Sequence, residues 1–288
     1  MNQRMRKDIR SVAVKEPRRQ VTSPAPSPNK YKLTIEYDGT SYSGWQTQKN
    51  ARSIQGTLME AARQLLGQDV DVQGAGRTDA GVHALAQVAH LESSKAMPPK
   101  KLREGLNDRL PSNINVLSVE KVHARFHARH HAVSRTYVYL LSRCRTAFGK
   151  RYVWWVRDPL DVEKMQAAGR LFEGMHDFES FADKRFDKDA STQVKVERVE
   201  ITPMGDLIVF RITGSHFLWK MVRRMAGVLV EVGRGKLTAG NVGDMLKTFS
   251  ETPAQFTAPP SGLFLMQVRY EGDPEEPLRL PFLPAPLD

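Results

Sequence analysis

The chain contains very little cysteine and no long apolar segment. Cys144 is its single cysteine among 288 residues, so no disulfide can form within the chain, which fits a reducing compartment. No run of 18 apolar residues occurs, and this argues against a membrane-spanning helix. Residues 1–10 are charged and no apolar segment follows them, so a secretory signal is not expected. The sequence therefore predicts a cytoplasmic protein that does not enter a membrane.

Motifs for nucleotide cofactors and metals are also missing. No G-x-x-x-x-G-K-[ST] segment occurs, and Asp79 stands where a dinucleotide fingerprint beginning at Gly74 and Gly76 would need its third glycine. The four histidines between residues 123 and 131 have neither cysteine partners nor a nearby carboxylate, although a zinc site needs three or four ligands. We therefore expect neither a cofactor nor a bound metal.

Acidic residues are absent from residues 121–157, which we call the acid-free segment. Its nine cations are Lys121, Arg125, Arg129, Arg135, Arg143, Arg145, Lys150, Arg151 and Arg157. Its aromatic residues are Phe126, Tyr137, Tyr139, Phe148, Tyr152, Trp154 and Trp155. Cations neutralise phosphates and aromatic rings stack on unpaired bases, so this segment predicts contact with nucleic acid. The alternative is a pair of strands with core aromatics, whose cations meet carboxylates from elsewhere in the chain.

The net charge of +11 is distributed unevenly along the chain. Residues 1–30 contain eight cations and two acidic residues, so they carry +6 of this charge. The segment is polar and ends in alternating serine and proline, which predicts a disordered basic N-terminal extension. Residues 271–288 contain five prolines and predict an irregular C-terminal tail. Between these two segments lies the folded body.

Apolar periodicity divides the body into two similar halves. Alternation at 31–37 predicts a strand, and a helix follows that Ser53 would cap and Gly67 would end. Two strands, a second helix and a fourth strand complete the first half, and the second half repeats this order, with helices predicted after Asp161 and at 217–232. Each half is therefore β-α-β-β-α-β, the ferredoxin-like arrangement. We expect an α+β fold whose halves, 31–125 and 126–270, form a broad, mostly antiparallel sheet with helices on one face and a catalytic cleft between the halves.

The loop at residues 74–83 combines the features of a reaction centre. It consists of Gly74-Ala75-Gly76-Arg77-Thr78-Asp79-Ala80-Gly81-Val82-His83. The glycines let the backbone bend sharply and let a flat substrate approach closely. Arg77 would pair with Asp79 and keep that carboxylate ionised, as a nucleophile or base requires. For the loop taken alone, a glycine-rich turn with a surface Arg–Asp pair is the simpler interpretation.

This loop closely resembles the active-site loop of the TruA family of tRNA pseudouridine synthases. Other segments resemble motifs of that family in the same order: residues 31–40 followed by Gly44-Trp45-Gln46, then Ser53-Ile54-Gln55-Gly56, Arg135-Thr136-Tyr137, Phe178-Glu179-Ser180-Phe181, residues 217–223 followed by Gly227, and Ser261-Gly262-Leu263. The resemblance extends from about residue 31 to residue 270. Both tails lie outside it, and residues 184–192 match no motif of the family.

The resemblance implies an enzyme that isomerises uridine to pseudouridine in the anticodon arm of tRNA, at roughly positions 38–40, without a cofactor. It implies that Asp79 is the catalytic carboxylate, and that Arg77 pairs with Asp79 and fills the space left by the flipped-out base. Tyr137 would stack on the uracil, and Arg223 would be a second charged partner of Asp79. The resemblance also implies a homodimer in which each anticodon arm touches both subunits.

Three alternatives are compatible with the residues. A non-catalytic RNA-binding protein of the same fold would have no need of Asp79. A hydrolase with Asp79 as its nucleophile would need a second acid or base, because glycoside cleavage uses paired carboxylates and the loop offers one. A pseudouridine synthase that acts on another RNA would differ only in its substrate.

Overall fold

A computed structural model describes residues 29–183 and 191–281. Most of the predicted N-terminal extension, most of the charged 184–192 segment and the end of the proline-rich tail therefore lie outside the described residues. The elements in chain order are β1 Asn29–Tyr37, α1 Ile54–Leu66, β2 Asp71–Gly74, β3 His83–Ser93, α2 Pro99–Asn107, β4 Ile114–Val122, β5 Ala132–Ser142, β6 Trp154–Trp155, α3 Val162–Arg170, β7 Gly174–Asp177, β8 Gln193–Met204, β9 Leu207–Gly214, α4 Met221–Gly233, α5 Ala239–Lys247, α6 Thr252–Gln255 and β10 Leu263–Tyr270. No helix within the described ranges has the length and apolar character needed to cross a bilayer.

The described strands form one ten-stranded sheet. In the first half the strands lie in the order β4-β1-β3, with β2 beside β3, and in the second half they lie in the order β10-β5-β9-β8. Each half thus places its fourth, first, third and second main strands side by side, with antiparallel pairing. The halves join where β10 runs parallel to β3, with Phe264 opposite His83. The predicted α+β fold with two ferredoxin-like halves is confirmed.

The helices cover one face of this sheet because each carries an apolar stripe that the strands bury. On β1 the alternate residues Tyr31, Leu33 and Ile35 are almost fully buried in the same cluster as Leu58 of α1. The predicted ends of α1 are confirmed. Ser53 accepts a hydrogen bond from the Gly56 amide at 3.1 Å, and Gly67 ends the helix in the left-handed region at φ +68°.

The structure differs from the sequence prediction mainly in the second half. The helix predicted from residue 217 begins at Met221, since Lys220 has a left-handed φ of +61° that a helix cannot contain. The prediction missed β6, β7, α5 and α6. Helix α5 contains Gly240 and Gly243, which lower helix propensity. It is nevertheless started by a capping box in which Thr238 and Asn241 satisfy each other's backbone N–H groups.

The face of the sheet opposite the helices is not bare, because residues 271–281, which we call the C-terminal strap, cross it. Glu275 pairs with Arg211 of β9 at 2.9 Å, and Arg279 pairs with Glu36 of β1 at 3.4 Å. Leu278 and Leu280, on either side of Arg279, join a small second core with residues of both halves. The residues buried in this core are Leu85, Val138, Leu140, Val153, Val209, Phe264, Met266 and Leu280. The strap therefore spans the junction of the two halves without forming a helix or a strand.

His90 on β3 makes the folded state sensitive to acid. Its ring is 1% exposed, and its Nδ1 accepts a hydrogen bond from the Ala128 amide at 3.2 Å. Burial, together with the charges of His127 and Lys30, lowers the pKa of His90 to about 4. His90 therefore takes up a proton near pH 6.5 in the unfolded chain but only near pH 4 in the folded chain. The free energy of unfolding accordingly falls as the pH drops from about 6.5 towards about 4.

We expect this histidine to destabilise the protein by about 2 kcal/mol between pH 7 and pH 5. Urea unfolding at both pH values measures the effect. His90→Gln keeps an acceptor for the Ala128 amide but does not titrate. Between pH 7 and pH 5 its free energy of unfolding should therefore fall by about 2 kcal/mol less than that of the wild type. Equal losses in the two proteins would show that His90 is not responsible.

Candidate active site

The loop at residues 74–83, which we call the catalytic loop after the role that the family resemblance implies, connects β2 to β3, and hydrogen bonds from β1 and β3 hold it. The Ala75 amide donates to the Val88 carbonyl at 2.7 Å, and Gln87 Nε2 donates to the Gly76 carbonyl at 3.0 Å. The Thr78 hydroxyl lies 2.8 Å from the Tyr37 hydroxyl in a buried contact. These bonds fix the backbone on both sides of Arg77, so the position of Asp79 is set by the sheet beneath it.

The loop also requires close approach by the backbone that follows β1. A Cβ on Gly39 would lie 2.0 Å from the Val82 carbonyl oxygen, and one on Gly44 would lie 2.5 Å from the Thr78 oxygen. Gly44 in addition has a φ of +95°, which side-chain-bearing residues rarely adopt. The Trp45 amide then donates to the Thr78 carbonyl at 3.0 Å. The glycines of the 31–46 motif are therefore needed for the loop to pack where it does.

Both carboxylate oxygens of Asp79 accept hydrogen bonds from the second half of the chain. Trp219 Nε1 donates to Oδ1 at 2.7 Å, and Arg223 Nη1 donates to Oδ2 at 3.0 Å. The side chains of Asp79 and Arg223 are 19% and 13% exposed, so the ion pair is largely shielded from water. Arg223 Nε donates to the Ala258 carbonyl at 2.8 Å, which fixes the plane of the guanidinium. Asp79 is thus a partly exposed acceptor held in one orientation.

The segment before α4 brings the tryptophan to this site. Lys220 turns the chain in the left-handed conformation, and its Nζ pairs with Asp183 Oδ2 at 2.7 Å. Arg223 lies in the first turn of α4, which begins at Met221. From its sequence Trp219 is expected inside a helix, where it would have no role in the site. Only the exact start of α4 would have revealed that its indole N–H points to Asp79.

The expected pair between Arg77 and Asp79 is not formed. Arg77 is exposed, and within residues 29–183 and 191–281 its side chain makes no hydrogen bond or ion pair. Since Arg223 and Trp219 already occupy the two oxygens of Asp79, the guanidinium of Arg77 extends into solvent at the edge of the cleft. The structure therefore places Arg223 in the role that the loop sequence suggested for Arg77.

Tyr137 lies in the middle of β5, under the catalytic loop. Its ring packs edge-on against Phe217 at a centroid distance of 5.2 Å, and its hydroxyl points towards Gly76, whose Cβ position would be 4.0 Å away. Burial is the main reason that the pKa of Tyr137 is raised far above its ordinary value, and Tyr37 and Asp79 raise it further. The side chain is therefore a neutral phenol that lies almost fully buried beneath Gly76.

Arg135, two residues before Tyr137, links the segments that surround the cleft. It is 9% exposed and donates only to backbone carbonyls. Nη2 binds Ala75 at 3.1 Å and Arg129 at 2.8 Å. Nη1 binds Ser215 at 2.8 Å and Ala132 at 3.1 Å. One guanidinium thus binds three loops: the catalytic loop, the loop before β5 and the loop before α4.

His83 is the last residue of the catalytic loop, and its ring anchors the loop to the other face of the sheet. Its ring stacks on Phe264 at 4.7 Å, and its Nε2 lies 3.2 Å from the Arg151 carbonyl. Nδ1 accepts from the Gly39 amide at 3.1 Å and lies 3.0 Å from Asp38 Oδ1. Burial lowers the pKa of His83. His83 therefore ties the end of the loop to Gly39, Arg151 and Phe264.

The structure divides the acid-free segment between the two ends of β5. Residues 123–131 precede the strand, residues 143–153 follow it, and the buried Tyr137 and Tyr139 lie between them. The core-strand interpretation therefore holds for the middle of the segment, and Arg135 binds carbonyls there. Arg125, Arg129, Arg145, Lys150 and Arg151 are exposed at the two ends. No group of three or more histidine, cysteine or acidic side chains suited to a metal ion occurs within the described ranges.

Comparison with known proteins gives one consistent family. A family profile described as tRNA pseudouridine synthase matches residues 33–131 and 168–271. A tRNA pseudouridine synthase A of Rhodopseudomonas palustris is 42% identical over 245 residues, which are 84% of this chain and 99% of the relative. A protein of the same name from Agrobacterium fabrum is 39% identical over 246 residues, 84% of this chain and 92% of the relative. A third, from Nitrobacter hamburgensis, is 42% identical over 244 residues, again 84% of this chain and 99% of the relative.

Proposed function

This chain belongs to the tRNA pseudouridine synthase family, and on that basis we propose that it converts uridine to pseudouridine at roughly positions 38–40 of the tRNA anticodon arm, with Asp79 as the nucleophile. The observation that carries the proposal is the carboxylate of Asp79, held at the cleft by Trp219 and Arg223. A partly exposed acid with a fixed orientation is what attack on a bound nucleotide requires.

The reaction is an isomerisation and needs no second substrate. The bond between the ribose C1′ and uracil N1 breaks, the uracil turns, and C1′ forms a bond to C5. The proton on C5 is lost and N1 gains one, so atoms and charge balance. Asp79 either attacks the nucleotide or removes a proton from it, and Arg223 stabilises the carboxylate between turnovers.

The residues around Asp79 suit a flipped-out uridine. The ring of Tyr137 lies almost fully buried, edge-on to Phe217, and we propose that the uracil stacks on this ring. Arg77 is exposed at the edge of the cleft with no partner among the described residues. It is therefore available to enter the space that the base leaves in the RNA, which offsets part of the few kcal/mol that base flipping costs.

The proposal includes the cytoplasm as the site of action and a homodimer as the active form. The homodimer follows from the resemblance to the family, and the cytoplasm follows from the single cysteine, which agrees with a reducing compartment. In the dimer, one anticodon arm would contact both subunits.

Pseudouridine mapping tests the substrate assignment. Purified protein is incubated with unmodified tRNA transcripts, and pseudouridine is located by carbodiimide-blocked primer extension. We expect new stops at positions 38–40 and their loss from transcripts in which those uridines are replaced by cytidine. A stem-loop of unrelated sequence serves as the control RNA. Stops elsewhere in the tRNA, or in the control RNA alone, would show that the anticodon assignment is wrong.

A further inference from the structure

The loop that joins β4 to β5 is unusual in its side chains. Residues 123–131, which we call the His loop, contain four histidines, two arginines and no acidic residue: His123, Arg125, His127, Arg129, His130 and His131 are its titratable members. The proposed function assigns none of them a role. The loop lies at the end of β5 that is nearest to Arg135 and the catalytic loop.

Three of these histidines use the same ring nitrogen to hold the loop together. His123 Nδ1 accepts from the Arg125 amide at 3.1 Å, and His127 Nδ1 accepts from the Arg129 amide at 3.2 Å. His131 Nδ1 accepts from the His127 amide at 3.4 Å. A neutral imidazole whose Nδ1 accepts must carry its proton on Nε2. Each of these rings therefore keeps an Nε2–H donor, for which the described residues supply no acceptor.

The cations of the His loop also lack carboxylate partners. Arg125 and Arg129 are exposed, and neither forms an ion pair within the described parts of the chain. Glu92 lies 3.8 Å from the His90 ring, which packs against His127, and it is paired with Lys30 at 2.5 Å. Lys30 Nζ also donates to the Phe126 carbonyl at 3.0 Å. The loop therefore presents several donors and two positive charges with no negative charge of its own.

The backbone that carries these donors is fixed relative to the active site. Tyr270 donates to the Ala128 carbonyl at 2.7 Å, which anchors the loop to the end of β10. Arg135 Nη2 donates both to the Arg129 carbonyl and to the Ala75 carbonyl. Since Ala75 lies in the catalytic loop four residues before Asp79, the two loops are held side by side.

We propose that the His loop is a phosphate-binding surface. It binds the sugar-phosphate backbone of the RNA at the point where the RNA leaves the active site. The arginines supply charge, and the Nε2–H groups supply donors at fixed positions, which is how proteins position a nucleic acid without reading its bases. The inference rests on the proposed RNA substrate. It adds a binding surface outside the residues that contact the reacting uridine.

Charge removal tests the arginines. In Arg125→Gln/Arg129→Gln we expect the Kd for a tRNA transcript to rise about 10- to 100-fold near 0.1 M salt, and the slope of log Kd against log salt to become shallower by about 1 to 2. Fluorescence anisotropy over a salt series measures both. The single-turnover rate at saturating tRNA should stay within about twofold, because the reacting groups are untouched.

Two matched variants separate a local effect of the His loop from an effect of total charge. Lys100→Gln/Lys101→Gln removes the same charge from exposed positions of α2, and it should change the Kd less than about threefold. His123→Asn/His127→Asn/His131→Asn retains a side-chain oxygen near the Nδ1 position but removes the outer donor, and it should weaken binding with normal thermal stability.

Equal weakening in the two charge variants would overturn the proposal, because only total charge would then matter. An unchanged Kd with a slower single-turnover rate in Arg125→Gln/Arg129→Gln would overturn it too. Pseudouridine mapping separates this inference from the proposed function. If the wild type binds tRNA through the His loop but forms no pseudouridine in it, the binding surface stands and the proposed reaction fails.

Discussion

Asp79→Asn is expected to abolish pseudouridine formation while the protein remains folded. The substitution preserves the size of the side chain and the acceptor for Trp219. It removes the negative charge and turns an N–H₂ group towards Arg223, which is itself a donor. Loss of a nucleophile typically lowers the rate by about 10⁴-fold or more, so we expect no pseudouridine above background.

Single-turnover assays at saturating tRNA measure this loss, with release of tritium from C5-labelled uridine as the signal. Asp71→Asn, on the exposed face of β2, is the matched control and should react at the wild-type rate. Asp71→Asn should melt within a few degrees of the wild type, because an exposed substitution changes stability little. Asp79→Asn leaves Arg223 without its carboxylate partner, so its melting temperature should be lower, but the transition should stay cooperative. Activity of Asp79→Asn within tenfold of the wild type would disprove the catalytic assignment.

Arg135→Lys is expected to affect both stability and rate, although the charge is kept. The guanidinium donates to four carbonyls in different directions, and a lysine ammonium cannot reach all of them. The carbonyls left without a donor should lower the free energy of unfolding by about 2–4 kcal/mol. The catalytic loop loses its link to β5 at Ala75, and a displacement of about 1 Å at Asp79 would slow the reaction about 100-fold.

Urea unfolding and the single-turnover rate at saturating tRNA are measured on the same preparation. Arg269→Lys is the control, since among the described residues that guanidinium binds only Ser134 and Glu197, at 3.1 and 3.3 Å, and it should cost less than about 1 kcal/mol. A lower stability with an unchanged rate would mean that Arg135 holds the fold but does not position Asp79. Ethylguanidinium at low millimolar concentration should partly restore the rate of Arg135→Ala if the positioning role is correct.

The first half of the fold follows from local sequence signals because these are strong and agree with one another. Helix α1 has an apolar stripe, Ser53 at its start and Gly67 at its end, and the structure places both caps as predicted. In the second half, Lys220 adopts a left-handed φ that no local pattern indicates. The glycines of α5 lower its helix propensity, so the sequence does not indicate this helix. Its stability depends on packing of Val242 and Met245.

The site was harder to predict than the fold because its contacts are distant in sequence. Asp79 and Arg223 are 144 residues apart, and no periodicity relates them. The family resemblance brought Arg223 to attention. The spacing within the catalytic loop suggested Arg77 as the partner of Asp79, which the structure does not show. Neither the family resemblance nor the loop spacing indicated Trp219. Its contact with Asp79 depends on where α4 begins, and helix boundaries are the least reliable part of a prediction from sequence.

The position of β10 has a consequence for how the chain folds during synthesis. Among the described strands β10 is synthesised last, yet it lies between β3 and β5 in the middle of the sheet. A growing chain can complete the ladder from β1 to β4 while it is still attached to the ribosome. The edge of β3 that β10 will cover then stays open until residues 263–270 leave the exit tunnel. Closure of the sheet therefore waits for residues 263–270 to emerge.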